Sequence, residues 1–499
     1  MGESGGLSRR ELLRAAVGGA AAPAFASADT RVASSAPVQD ITEASAVAII
    51  RAIRQKRVSC VEVVDACLRR IELVNPTINA VVQLDRDTAR AAAVRADRSL
   101  KRGERVGPLH GVPITVKDSF DTAGLVTTGG TSGRRSFVPE RDATVVARLR
   151  GAGAIILGKS NTPELTLSYE TDNVVYGRTN NPYDPSRTSG GSSGGAAAVI
   201  AVGGAALDIG SDTGGSIRVP SHFCGIAGLK PTSGRIPRTG HVMSSEGVFQ
   251  SFTQPGPMAR RVEDLVMVLP VLVGPDGRDP WIVPMPLGDP QAVRRRGLRV
   301  GVHTDNGIRP PSPSCVQAVT DAARVLGEGG CVVTEFTPAE LHGAYEAGNR
   351  LWRAAGPATV RRLLAASGTT EVSPALRSWL SSSNTSTTQE WTLLLEELDH
   401  ARSQMLAVFE RFDALLCPPC AFPAFDHGAT LREDLDSAFS YSEVYNYLGW
   451  PAAVVRCGTT DKGLPIGTQV VSKPWREDIV LALARDLEDA LGGWRRPPL

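Results

Sequence analysis

Lysine is scarce in this chain, seven residues among 54 Lys and Arg. Neither sign of charge dominates: 52 Asp and Glu leave a formal charge of +2, which gives no ground for a nucleic-acid or anionic-membrane partner. No segment after the N-terminal leader has the uninterrupted apolar length of a transmembrane helix, so stable membrane insertion is not expected. Histidine and cysteine nowhere adopt a metal-ligand spacing. Cys417-Pro418-Pro419-Cys420 has the CxxC interval but lacks a second ligand pair or a helix N-terminus, and His110 stands alone. No metal and no organic cofactor is therefore expected. Cys417 and Cys420 read as buried thiols or a local disulfide; for the eight cysteines together (Cys60, Cys67, Cys224, Cys315, Cys331, Cys417, Cys420 and Cys457) the sequence chooses no pairing.

What is present is a chain of 499 residues, 42% hydrophobic and 21% charged, long enough to bury a large core. Residues 190–220 (GGSSGGAAAVIAVGGAALDIGSDTGGSIRVP) set two serines, Ser192 and Ser216, in glycine-dense turns. Glycine lets a backbone wrap closely around a reacting group and aim its N–H donors there. Serine hydroxyls beside such turns supply a nucleophile and an oxyanion-binding backbone, the parts of acyl transfer. A flexible Gly/Ser linker would not run directly into a helix-like and then a strand-like apolar stretch, as this one does.

A base is offered upstream. LHGVPITVKDS (109–119) is a β-type run ending in Lys117 and Asp118. A lysine at a buried strand end loses solvation, which favours its neutral form.

Lys117 within GVPITVKD, Ser192 within TSGGSSGG and Ser216 within DTGGSIRVP together resemble the amidase signature family, as do the intervals of 75 and 24 residues between them. AIILGKSNT (154–162), VYGRTNNP (175–182), GIAGLKPTSG (225–234), NYLGWPA (446–452) and PIGTQVV (465–471) are also similar to it, so the likeness spans about 38–491 and is weakest over 281–411. The resemblance implies a Ser–cis-Ser–Lys triad: Ser216 as nucleophile, Ser192 as proton relay after a cis Gly191–Ser192 peptide, and neutral Lys117 as base. It implies an oxyanion hole from the N–H groups of Thr213, Gly214, Gly215 and Ser216. Asp212 and Arg218 are expected to brace that loop, with surface charge as the plainer alternative, and Ser193 to pack or hydrogen-bond within its turn. It also implies hydrolysis of linear carboxamides; similar proteins include peptide amidases and fatty acid amide hydrolases.

Gly191-Ser192-Ser193-Gly194-Gly195 also satisfies G-x-S-x-G, the nucleophile elbow of α/β-hydrolase esterases, with Ser193 at its centre. That motif needs a strand directly before it, and NNPYDPSRT (180–188) is built of turn-formers. None of His222, His241, His303, His342, His400 and His427 is marked as a triad partner. A catalytically silent binding protein on the same fold is a further alternative, weakened by the complete Lys/Ser/Ser set.

At the N-terminus, Ser8-Arg9-Arg10-Glu11-Leu12-Leu13 opens a twin-arginine pattern, followed by an Ala/Gly-rich apolar segment and Ala26-Ser27-Ala28 as a cleavage site. Residues 1–28 read as an export signal and 29–38 as a polar leader, placing the enzyme in the cell envelope or outside the cell. Periodicity predicts helices over 41–55, 59–73 (opened by a Ser59…Glu62 capping box), 87–101, 142–150 and 314–326, with strands at 154–159, 298–303, 331–336 and 465–472. Residues 338–412 read as mainly helical around a Ser/Thr-rich loop at 381–389, and as the substrate entrance. The expected fold is one α/β domain (39–495), a mixed β-sheet covered by helices on both faces, acting as monomer or homodimer on a small-molecule or peptide amide.

Overall fold

The computed structural model describes residues 41–499 apart from 244–246, 248, 338 and 382–385. The signal and leader readings of residues 1–38 lie outside the described residues. Eleven strands form one mixed sheet: β1 Val81–Leu84, β2 Pro113–Lys117, β3 Ile155–Ser160, β4 Leu207–Asp212, β5 Ala227–Lys230, β6 Gln254–Ala259, β7 Arg299–Val302, β8 Val332–Glu335, β9 Ala414–Cys417, β10 Ala452–Thr459 and β11 Pro465–Ser472. Their order is β1-β3-β2-β4-β6-β5-β10-β11-β9-β7-β8. Strand β2 runs parallel to β3 and β4, whereas β10 pairs antiparallel with both β5 and β11.

Helices cover both faces, and strand alternation shows why. Ala414 and Leu416 of β9 enter the main core, while Leu415 and Cys417 enter a second cluster with Val444 and Trp450. Successive side chains of a strand point to opposite faces, so a strand apolar at every position must be covered twice. The segment that returns from residue 446 closes the sheet through β10 and β11, so one domain holds the whole site.

Local signals mark the helices. Ser59 and Glu62 form the capping box, each satisfying the other's backbone N–H, and the helix runs Cys60–Ile78, beyond the expected 73. Pro313, at the first position, opens Pro313–Glu328. The helix expected from 41 begins only at Ala46, because Ser45 caps it by accepting from the Ala48 N–H at 3.0 Å. Between 339 and 411 the chain is helical as expected, in Ala339–Ala366, Pro374–Ser381 and Thr388–Arg411; most of the Ser/Thr-rich loop lies outside the described residues. All eight cysteines are buried free thiols, so Cys417 and Cys420 form no disulfide.

Candidate active site

Parallel β2 and β4 pair through Thr115 and Asp208, and so end at the same edge of the sheet. Lys117 closes β2 and Asp212 closes β4. This carboxyl-end edge is where open α/β sheets place their chemistry. Between the two strands in sequence, the 190–193 turn leads into the helix Gly194–Ala201. Gly195 is required there: a Cβ at that position would lie 2.3 Å from the Asn161 nitrogen.

Lys117 is fully buried, and its Nζ contacts three hydroxyls: Ser192 Oγ at 2.6 Å, Ser193 Oγ at 3.0 Å and Ser211 Oγ at 3.0 Å. Burial lowers its pKa to about 7, against the opposing charges of Asp212 and Asp208. A neutral amine donates two hydrogen bonds and accepts one. The Ser193 hydroxyl is within reach of the Ser211 carbonyl at 3.3 Å, which leaves its lone pairs to accept from Lys117. Ser192 Oγ is the nearest of the three hydroxyls to the amine. The Gly191–Ser192 peptide is cis, as the resemblance implied.

Ser216 joins this group through the backbone, since the Ser193 N–H donates to its carbonyl oxygen at 3.1 Å. Its loop is organised by Asp212, which accepts from the N–H groups of Gly215 (2.8 Å) and Ile217 (3.0 Å) and from Arg218 Nε (3.0 Å) and Nη2 (2.8 Å). Asp212 and Arg218 are wholly buried, so the brace reading holds and surface charge does not. Burial pushes the Asp212 carboxyl up, but Arg218 outweighs it and holds the group well below the carboxylate range. Arg218 also donates to Asn446 Oδ1 and to Gln469 Oε1, the latter at 2.7 Å. Those contacts give the NYLGWPA and PIGTQVV segments their place beneath the loop.

One expected donor is differently employed. The Gly215 N–H is spent on Asp212, so the Thr213, Gly214 and Ser216 amides are the ones left to meet a carbonyl oxygen. Gly215 itself has φ 125°, and a Cβ there would lie 2.7 Å from Ser442 Cβ.

Sequence reasoning missed several neighbours. Ser211, on the buried strand β4 between Gly210 and Asp212, carries the third contact to Lys117. His241 Nε2 lies 3.0 Å from Ser211 Oγ, while the Met243 N–H reaches His241 Nδ1 at 3.2 Å, which leaves the ring hydrogen on Nε2. Burial, then the charge of Lys117, lowers His241 to about 3, so it is neutral. No strand leads into Ser193, and its hydroxyl meets a lysine rather than a histidine, unlike a nucleophile elbow.

The family profile described as Amidase matches residues 62–481. With the cis peptide, the Lys117–Ser192 contact and the Asp212–Ser216 loop already in place, the chain belongs to the amidase signature family and is an amide-hydrolysing enzyme. It is 34% identical over 467 residues to an acylamidase of Rhodococcus erythropolis, covering 90% of this chain and 96% of the relative. It is equally 34% identical over 491 residues to a glutamyl-tRNA(Gln) amidotransferase component of Chloroflexus aggregans (strain MD-66 / DSM 9485), covering 90% and 96%. The solved structure of 6-aminohexanoate cyclic dimer hydrolase complexed with substrate superposes with a TM-score of 0.83 at 28% identity, covering 92% of this chain and 99% of that one.

Proposed function

We propose that the enzyme cleaves a carboxamide through an acyl-enzyme on Ser216. The observation that carries this reading is the 2.6 Å contact between Lys117 Nζ and Ser192 Oγ in a fully buried setting. Ser216 Oγ attacks the carbonyl carbon and passes its proton to Ser192, which passes its own to the Lys117 lone pair. Negative charge on the carbonyl oxygen meets the Thr213, Gly214 and Ser216 amides, a kind of donor worth on the order of 3 kcal/mol each. The proton then returns through Ser192 to the departing amine, and water releases the acyl group by the reverse route.

The substrate we infer is a small-molecule or peptide amide met outside the cytoplasm. Support comes from the twin-arginine pattern at Ser8–Leu13 and the small-residue site at 26–28. A tRNA-linked role, as the amidotransferase relatives carry in their name, fits export poorly because tRNA charging is cytoplasmic. The helical 338–412 segment forms the entrance in this reading. It is tied to the rest of the domain at two points: Thr369 Oγ1 lies 2.8 Å from Thr131 Oγ1, and Asn349 Oδ1 accepts from Tyr447 Oη at 2.7 Å, next to Asn446, which binds Asp212.

The test is incubation of purified enzyme with a panel of amides, reading ammonia and amine release separately, with mass spectrometry of the trapped adduct. Acyl mass on the Ser216 peptide is expected. Acyl mass on Ser193, or turnover without any adduct after rapid quench across the panel, overturns the proposal.

A further inference from the structure

Glu443 stands on the helix Ser440–Tyr447, beside the proposed oxyanion loop, and the mechanism does not use it. A Cβ built on Gly214 would lie 3.4 Å from Glu443 Cγ and 2.5 Å from Tyr169 Oη, so both side chains press on that loop. Tyr169 Oη lies 2.7 Å from Glu443 Oε1 and 3.0 Å from the Gly214 carbonyl oxygen. The tyrosine ring is fixed by stacking on Phe439, with centroids 3.6 Å apart. Thr213, Gly214, Tyr169 and Glu443 are all partly exposed, whereas Ser216 behind them is buried. Glu443 therefore stands on the partly exposed side of the Gly214 loop, which Ser216 follows two residues later in the chain.

Its second oxygen, Oε2, is shielded from solvent and has no hydrogen-bond partner among the described residues. A shielded acceptor without a donor is costly, and more so when it is charged. Burial raises this carboxyl to about 7; Asp436 pushes it further up, while Tyr169, Arg353 and Arg218 pull it down. None of the three supplies a donor to Oε2. A cationic N–H donor brought by the substrate would satisfy the oxygen and neutralise the charge together.

We propose that Glu443 is a specificity-determining residue, selecting amides that carry an ammonium group within reach of the Gly214 loop. This rests on the hydrolytic reading above and names its substrate class. A neutral amide can bind at the same place, but it leaves Oε2 unmet.

The experiment uses ω-aminoacyl anilides with two to five methylenes, each paired with an acyl anilide in which methyl replaces ammonium. A second series places the charge on the leaving amine. In the native enzyme, the ammonium member of the best-fitting pair is expected to have a kcat/KM at least tenfold above its methyl partner. Glu443→Gln should bring that ratio to within threefold of one. Tyr169→Phe should lower both members alike and keep the ratio, because it disturbs the Gly214 loop and leaves the carboxylate. A native ratio near one in every pair, or an equal loss for both members in Glu443→Gln, overturns the inference and makes Glu443 a loop brace. Calorimetric binding of the same pairs to Ser216→Ala reads charge preference without turnover. Preference there with no hydrolysis by the native enzyme keeps this inference and removes the hydrolytic reading; hydrolysis without preference does the reverse.

Discussion

The Ser193 N–H and the Ser216 carbonyl oxygen are joined at 3.1 Å, so the two serine turns are pinned backbone to backbone. The Ser193 hydroxyl simultaneously takes one hydrogen bond from Lys117 at 3.0 Å. Substituting Ser193 by alanine leaves the backbone tie and removes the hydroxyl's contacts with Lys117 and with the Ser211 carbonyl oxygen. A hydrogen bond to a group that becomes charged is worth about 1.5–3 kcal/mol. Ser193→Ala should thus lower kcat by roughly tenfold to a hundredfold, while Ser216→Ala should reduce it to background with an unchanged melting temperature. Steady-state kinetics on one good amide decides this. A dead Ser193→Ala beside an active Ser216→Ala would revive the elbow.

Lys117 must be neutral to accept a proton, and burial sets its pKa at about 7. As pH falls through that value the ammonium form accumulates, so kcat/KM should drop tenfold per pH unit below it and level off above. His241 sits at about 3 and does not titrate in this range. The acid limb should therefore survive in His241→Phe, at a lower plateau because Ser211 loses its donor. Lys117→Arg should be inactive, since guanidinium keeps its proton at working pH. Near-normal activity in Lys117→Arg, or loss of the limb in His241→Phe, would mean that the base is misassigned.

The meeting of Lys117 with the 190–193 turn was legible because both lie in short local strings, a lysine ending an apolar strand and a glycine-dense turn with serines. What stayed hidden was assembled from afar. Asn446 and Gln469 meet Arg218 across more than 220 residues of chain, and nothing in their own surroundings says which loop they support. His241 lacked any motif, and only the pairing of β4 with its neighbours reveals that Ser211 points at Lys117. Gly215 shows the opposite limit: the string suggested an N–H donor for substrate, but Asp212, three residues earlier, already holds it. Helix starts expected at 59, 87, 142 and 314 fell within about two residues of the observed ones, whereas the one expected at 41 was placed before its cap, Ser45.

Arg218 is fully buried with Asp212, Asn446 and Gln469 as partners. Removing one member of a buried ion pair leaves the other charge unpaired, at a cost of about 3–5 kcal/mol. Arg218→Ala should show that loss in chemical denaturation and be inactive even where it is folded, because the Asp212–Ser216 loop loses its anchor. Arg218→Lys should recover part of the stability and little of the activity, since a lysine cannot hold both Asp212 oxygens and two amide acceptors together. Full activity in Arg218→Lys would show that charge alone suffices.

Trp352 lies on the Ala339–Ala366 helix and packs loosely on Phe252 (6.4 Å between centroids) and Trp379 (5.8 Å). Phe252 in turn packs on Tyr447, and its carbonyl oxygen accepts from Asn446, which binds Asp212. If this helix forms the entrance as proposed, a partly exposed indole at the end of such a chain meets incoming substrate rather than the reacting atoms. Trp352→Ala should raise KM for bulky aryl amides by at least fivefold and change kcat for a minimal amide by less than twofold. Part of the indole is solvated already, so its removal should cost less than the ~3–5 kcal/mol of a fully buried tryptophan. Ranking kcat/KM across amides of increasing size, beside thermal unfolding of the same variant, separates the two roles. A collapse in melting temperature with unchanged ranking would make this helix scaffold, and would move the entrance to the Thr131 side of the site.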